Sequence, residues 1–228
     1  MVRLVLFDID GTLVRTGGAG AAAFERVCEV IFHVRNGAAR LEFPGRTDTA
    51  IVRDFFTQHD IEPSRANFRR FFEAYVFVLD HLLKQREGCV LPGVTQLLAA
   101  LAALPEPPVL GLLTGNIRLG AQIKLRHFDL WEHFRIGAFG DDHEDREQLA
   151  ALALARGSEL LQRPLRGEEV VVIGDTPRDI RCGQAVKART LAVATGPYEA
   201  GRLRAHQPTW VVSDLTEIDP VALCGDKG

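Results

Sequence analysis

Phe7-Asp8-Ile9-Asp10-Gly11-Thr12-Leu13-Val14 closes a nearly continuous apolar run that begins at Val2. A strand with one wet face would alternate apolar and polar residues, so an unbroken run ending on acids and a glycine reads as a strand covered on both faces. Residues 2–9 are therefore expected to lie in the middle of a sheet. Short runs of the same kind recur at 109–113, 135–139, 170–173, 190–194 and 210–212, mostly separated by stretches of helical periodicity. That alternation predicts an α/β fold with a mainly parallel sheet flanked by helices.

Residues 18–88 break the rhythm with helical patterns and no convincing strand. Phe68, Phe71, Phe72, Tyr75, Val76, Leu79, Leu82 and Leu83 fall at spacings of three and four, which lines up one face of a long helix for packing against its neighbours. The organisation expected is a core built from 1–15 and 89–228 and a small inserted α-helical domain over 16–88. Glycine-bearing hinges stand at Thr16-Gly17-Gly18 and at 88–93.

At 228 residues, 46% hydrophobic and 25% charged, the chain has the balance of an ordinary globular protein with ample core material. A formal charge of −3 offers no basic footprint, which argues against nucleic acid as a partner. The amino terminus reaches Asp8 too early for a signal peptide, and no apolar run approaches the ~18 residues of a membrane span. A cytoplasmic protein with no membrane partner is expected. Cys28, Cys89, Cys182 and Cys224 lie too far apart in sequence for a zinc knuckle or a redox dithiol.

In an open parallel sheet, ligands bind outside the carboxyl ends of the strands, so polar residues just after the apolar runs are the ones that carry chemistry. Those places hold Asp8 and Asp10, then Thr114-Gly115-Asn116, then Asp141 to Arg146, then Gly174-Asp175-Thr176-Pro177-Arg178-Asp179. Asp8, Asp10 and Asp175 would repel one another strongly unless a hard divalent cation sat among them. Oxygen-only ligation suits Mg²⁺. Thr114 brings a hydroxyl, and Gly115 and Asn116 bring backbone N–H groups suited to phosphoryl oxygens, although the same triplet also serves as a loop and helix cap.

Together these segments resemble the haloacid dehalogenase superfamily. The first motif is Asp8-Ile9-Asp10-Gly11-Thr12, the second ends at Thr114, and the acidic motif is Gly174-Asp175-Thr176-Pro177-Arg178-Asp179. The resemblance spans essentially the whole chain and implies a Rossmann-like core with an inserted helical cap. It implies that Asp8 is the nucleophile that forms an aspartyl-phosphate, with Asp10 as acid and base. Asp8, Asp10 and Asp175 would attend Mg²⁺, and Thr114, Gly115 and Asn116 the phosphate. Asp179 would bind metal-held water or orient Asp175.

The family's third motif is a Lys or Arg near the start of the helix before the acidic strand. Arg146 occupies that place, with Lys124 on the preceding helix as its rival. Phe43-Pro44-Gly45-Arg46-Thr47-Asp48 resembles the cap loop that some relatives place over the site, which makes Arg46 a candidate for substrate contact. Asp10 argues against dehalogenation, because halide needs no proton to leave. The absence of a His after Thr16 argues against a mutase of the beta-phosphoglucomutase type. The expected activity is Mg²⁺-dependent hydrolysis of a small phosphorylated metabolite, similar to the phosphoglycolate phosphatases. Phosphoryl transfer to an alcohol and a noncatalytic binding module are the alternatives, and no obligate protein partner is evident.

Overall fold

The computed structural model describes residues 1–225; residues 226–228, the end of the expected core segment, lie outside them. The chain opens with β1 (Leu4–Phe7), β2 (Val14–Arg15) and the helices α1 (Ala19–Phe32), α2 (Asp48–Gln58) and α3 (Arg65–Leu83). It continues through β3 (Cys89–Val90), α4 (Val94–Ala102), β4 (Val109–Leu113), α5 (Arg118–His127), β5 (Ile136–Ala138) and α6 (Arg146–Leu160). Then come β6 (Val170–Gly174), α7 (Pro177–Ala185), β7 (Arg189–Val193), α8 (Ala200–Arg204), β8 (Trp210–Val212) and α9 (Pro220–Cys224). Six strands form one sheet in the order β5-β4-β1-β6-β7-β8, with every neighbouring pair parallel.

All four residues of β1 are buried between helical layers, which is why the run does not alternate. The strand period of two still sorts its side chains. Val5 and Phe7 join Leu98, Leu101 and Leu125 on one face, and Leu4 and Leu6 join Leu149 and Ala153 on the other. The observed strand is shorter than the expected 2–9 at both ends. Val2 and Arg3 donate instead to the carbonyls of Cys224 and Glu169, and at the other end Thr12, Leu13 and Val14 fold back to share the Ile9 carbonyl. Gly11, at φ +84°, makes this turn possible without strain.

Helices α1, α2 and α3 have a hydrophobic cluster of their own, centred on Phe24, Phe55, Phe56, Phe71, Tyr75 and Leu79, which Ile117, the residue before α5, joins. Phe71 is fully buried, with Phe24, Phe32, Phe55, Phe56 and Phe72 ringed around it. Thr47 caps α2 by accepting from the Ala50 N–H, and Ser64 caps α3 by accepting from the Asn67 N–H. Where the chain leaves the sheet and where it returns, β2 and β3 pair antiparallel into a two-stranded ribbon. The hinge glycines flank this ribbon rather than forming free linkers. Among the described residues no helix is long and apolar enough to cross a membrane.

Candidate active site

The carboxyl ends of β1, β4 and β6 open on a cavity of about 400 Å³, roofed by residues of α1, the 43–48 loop, α2 and α3. Asp8, the first residue beyond β1, keeps its N–H on the Ile173 carbonyl, 2.9 Å away, so its position is fixed by the neighbouring strand. Asp175 follows β6 directly. Thr176 caps α7, accepting from the Asp179 N–H, while Asp179 accepts back from the Thr176 N–H at 3.0 Å and hydroxyl at 2.6 Å. Pro177 at the start of that helix has no N–H to leave unpaired.

Asp8, Asp175 and Asp179 are all buried, and each offers a carboxylate oxygen within 4.8 Å of the others. Arg146, the first residue of α6, is buried beside them, bonded to Asp179 and 3.6 Å from Asp8. Burial is the largest influence on Asp8 and lifts its carboxyl to about 7; Arg146 opposes the rise and Asp179 and Asp10 add to it. Asp175 is raised well above the ordinary range, first by burial and then by Asp179 and Asp8. Three buried acids beside one guanidinium leave a deficit of positive charge that a hard divalent cation suits. Asp179 is engaged at both oxygens, by Arg146 and by Thr176. Asp8 and Asp175 are the carboxylates with oxygens to spare, Asp175 having given one to the Thr12 hydroxyl at 3.1 Å.

Asp10 has other company. Its Oδ2 accepts from Lys124 Nζ at 2.6 Å and from the Asn116 amide at 2.9 Å, and Lys124 also donates to Asn116 Oδ1 at 2.6 Å. Asn116 donates in turn to the Thr114 hydroxyl, from its amide at 2.9 Å and its backbone N–H at 3.3 Å. Thr114 therefore accepts twice and keeps its own proton available. Lys124 and Arg146, rivals in the sequence, both reach the site and serve different acids.

Arg46 lines the cavity, but its guanidinium is drawn to Asp54 at 2.5 Å. Beside it the loop is stitched to the core. Asp48 donates its N–H to the Gly115 carbonyl at 2.7 Å and accepts from the Ile117 N–H at 2.9 Å, and Thr47 donates to the Glu144 carbonyl at 2.9 Å. Thr49 bonds the Gly140 carbonyl, and Arg53 grips both oxygens of Glu144. A Cβ on Gly115 would stand 2.0 Å from the Arg46 carbonyl oxygen, so this approach tolerates no side chain. Phe24, Asp48, Ile51 and Tyr75 are among the lining residues to which the sequence assigns no role at the site. The aromatic stripe contained Tyr75 but gave no means of separating it from its packing neighbours; Asp48 next to an N-cap was the one available signal.

A family model described as haloacid dehalogenase-like hydrolase matches residues 5–193. A probable phosphatase IndB of Dickeya dadantii is 26% identical over 96% of this chain and 92% of its own length. A phosphoglycolate phosphatase of Photorhabdus laumondii is 25% identical over 95% of this chain and 91% of its own. The crystal structure of a hydrolase from Pseudomonas syringae superimposes with a TM-score of 0.70 at 21% identity, covering 94% of each chain, and so shares the fold.

Proposed function

The chain belongs to the haloacid dehalogenase-like hydrolases, and on that footing we propose that it is a phosphatase that hydrolyses a small phosphate monoester through an aspartyl-phosphate on Asp8. The observation that carries this reading is the separation of two carboxylates two residues apart. Asp8 is buried beside Arg146 and Asp175, whereas Asp10 stands at the cavity edge, held by Lys124 and Asn116. On this reading Asp8 attacks and Asp10 exchanges protons.

Asp8 attacks phosphorus as the ester oxygen departs, and Asp10 gives that oxygen its proton, releasing the alcohol. Asp10 then takes a proton from water as it attacks the aspartyl-phosphate, restoring the Asp8 carboxylate and releasing phosphate. Lys124 and Asn116 share one oxygen of Asp10, which turns the other toward this exchange. The Thr114 proton and the Gly115 N–H serve the phosphoryl oxygens, and Arg146 offsets the charge of the transferring group beside Asp8. Mg²⁺ would be held by Asp8 and Asp175, with Asp10 at the margin, and would supply further neutralisation of phosphoryl charge. The core, 1–15 and 89–228, provides these groups; the cap, 16–88, encloses the ester and shields it from bulk water.

The test is phosphate release from a panel of small esters, with Mg²⁺ and with chelator, for the wild-type protein and Asp8→Asn side by side. Release that requires both the ion and Asp8 is expected. Turnover retained in Asp8→Asn would remove Asp8 from the nucleophile's place.

A further inference from the structure

The half of the cavity under the cap is built differently from its floor. Phe43, Ile51 and the rings of Phe24 and Tyr75 line it. Four cations line the cavity as a whole, and three are already matched with acids. Arg46 is paired with Asp54, Lys124 with Asp10, and Arg146 with Asp179 and Asp8. The fourth, Arg15, is exposed on the ribbon strand β2 and donates to the Thr195 carbonyl at 3.0 Å. A second anionic group on the substrate would meet Asp10 and Asp48 under the cap, where the cation Lys124 already has its charge matched by Asp10. Desolvating such a group without a partner is costly.

Among Phe24, Phe43, Ile51 and Tyr75, the Tyr75 hydroxyl is the polar group. Tyr75 is 3% exposed, and among the described residues its hydroxyl makes no hydrogen bond. Burial, with Asp48 and Asp10 adding to it, holds the phenol in its protonated, donating form. The space beside it is kept open by Gly20 of α1. A Cβ there would stand 3.5 Å from Lys124 Nζ and 3.7 Å from the Tyr75 oxygen, filling the gap between them. Glycine in a helix costs up to about 1 kcal/mol against alanine, and here it leaves room for a ligand atom.

We infer that the leaving group this cavity accepts is uncharged, with an apolar body against Phe24, Phe43 and Ile51 and one polar atom for the Tyr75 hydroxyl. The inference rests on the phosphatase reading and narrows it, setting aside carboxylate-bearing esters and pyrophosphate as preferred substrates. Near-isosteric esters isolate the charge. With the full chain and Mg²⁺, 4-(hydroxymethyl)benzyl phosphate is expected to exceed 4-carboxybenzyl phosphate in kcat/KM by at least about tenfold, and to exceed 2-phosphoglycolate and inorganic pyrophosphate as well. Tyr75→Phe is expected to shrink the advantage of the hydroxymethyl ester over benzyl phosphate about fivefold. Preference for the carboxylates or pyrophosphate would overturn the inference, and loss of that preference in Arg15→Met would place the anion at the mouth. If no ester is turned over, calorimetry of benzylphosphonate against phosphonoacetate on the wild-type protein decides separately. Tighter benzylphosphonate would keep the inference while removing the phosphatase reading, and the reverse order or parity would overturn the inference itself.

Discussion

The floor and the roof of the cavity are made by different means. The floor takes its groups from strand ends, where Asp8 and Asp175 directly follow the paired strands β1 and β6. The roof takes its groups from helices that pack on one another, so Phe24, Ile51 and Tyr75 belong to the cap's own hydrophobic cluster while lining the cavity. The difference separates two tasks. The acids proposed to react are tied to the ends of paired strands, and the surface proposed to sort substrates is tied to side-chain packing.

The sharpest way to break this division is Asp8→Asn, expected to lower kcat at least about 10³-fold without lowering the melting temperature, since it removes a charge whose burial is unfavourable. Steady-state assays and thermal melts on one preparation check both halves. Phe71→Ala, at the centre of the cap cluster, is expected to cost about 3–5 kcal/mol in urea unfolding while the acids at the strand ends stay untouched. Lys124→Met asks whether a helix residue can act as part of the floor. A fall in kcat of roughly 10–100-fold with a small change in KM is expected, partly restored in Lys124→Arg, because the grip on Asp10 is lost and not the binding of phosphate.

Asp48 bridges the two regions and gives a pH signature. Burial lifts its carboxyl from 3.8 to about 6, against the influence of Lys124 and the Ile117 N–H. A carboxyl raised on folding binds its proton more tightly in the folded state. The stability this brings is present at low pH and lost as pH climbs from 3.8 through about 6. Asp48→Asn should flatten that fall by on the order of 1 kcal/mol, read as the difference between the two proteins' stability curves. The smallest effect is expected from Arg53→Met. Its ion pair with Glu144 is largely exposed, so its removal should cost no more than about 1 kcal/mol, and 0.5 M salt should abolish the difference.

The same division explains what the sequence disclosed. The strands at Val109–Leu113 and Trp210–Val212 fall where the apolar runs place them, because double coverage leaves a continuous run and the turn residues that end it are local signals. Asp8, Asp10, Thr114 and Asp175 were legible as strand-end residues for the same reason. The β2–β3 ribbon was not, since two residues on each strand carry no period. Tyr75 is a packing residue by its spacing and in the fold, but periodicity reports which face of α3 is buried and not which part of that face borders a cavity. The sequence offers Lys124 and Arg146 as rivals for one position, and the fold brings both to the acids. Only the packing of α5 brings the Lys124 ammonium to Asp10, and no local pattern encodes that distance.

The position of β1 in the sheet also governs how the molecule comes into being. The first of the six strands in chain order becomes the middle of the sheet, yet its two partners begin at Val109 and Val170. At a synthesis rate of roughly 5–20 residues per second, Leu4 to Phe7 wait several seconds before either partner exists. The helical segment 19–83 emerges during that interval, so that α1 and α3 are both made before either partner strand. Until then the newborn chain carries an unpaired apolar strand, and Asp8 at its end still lacks Arg146 and Asp175.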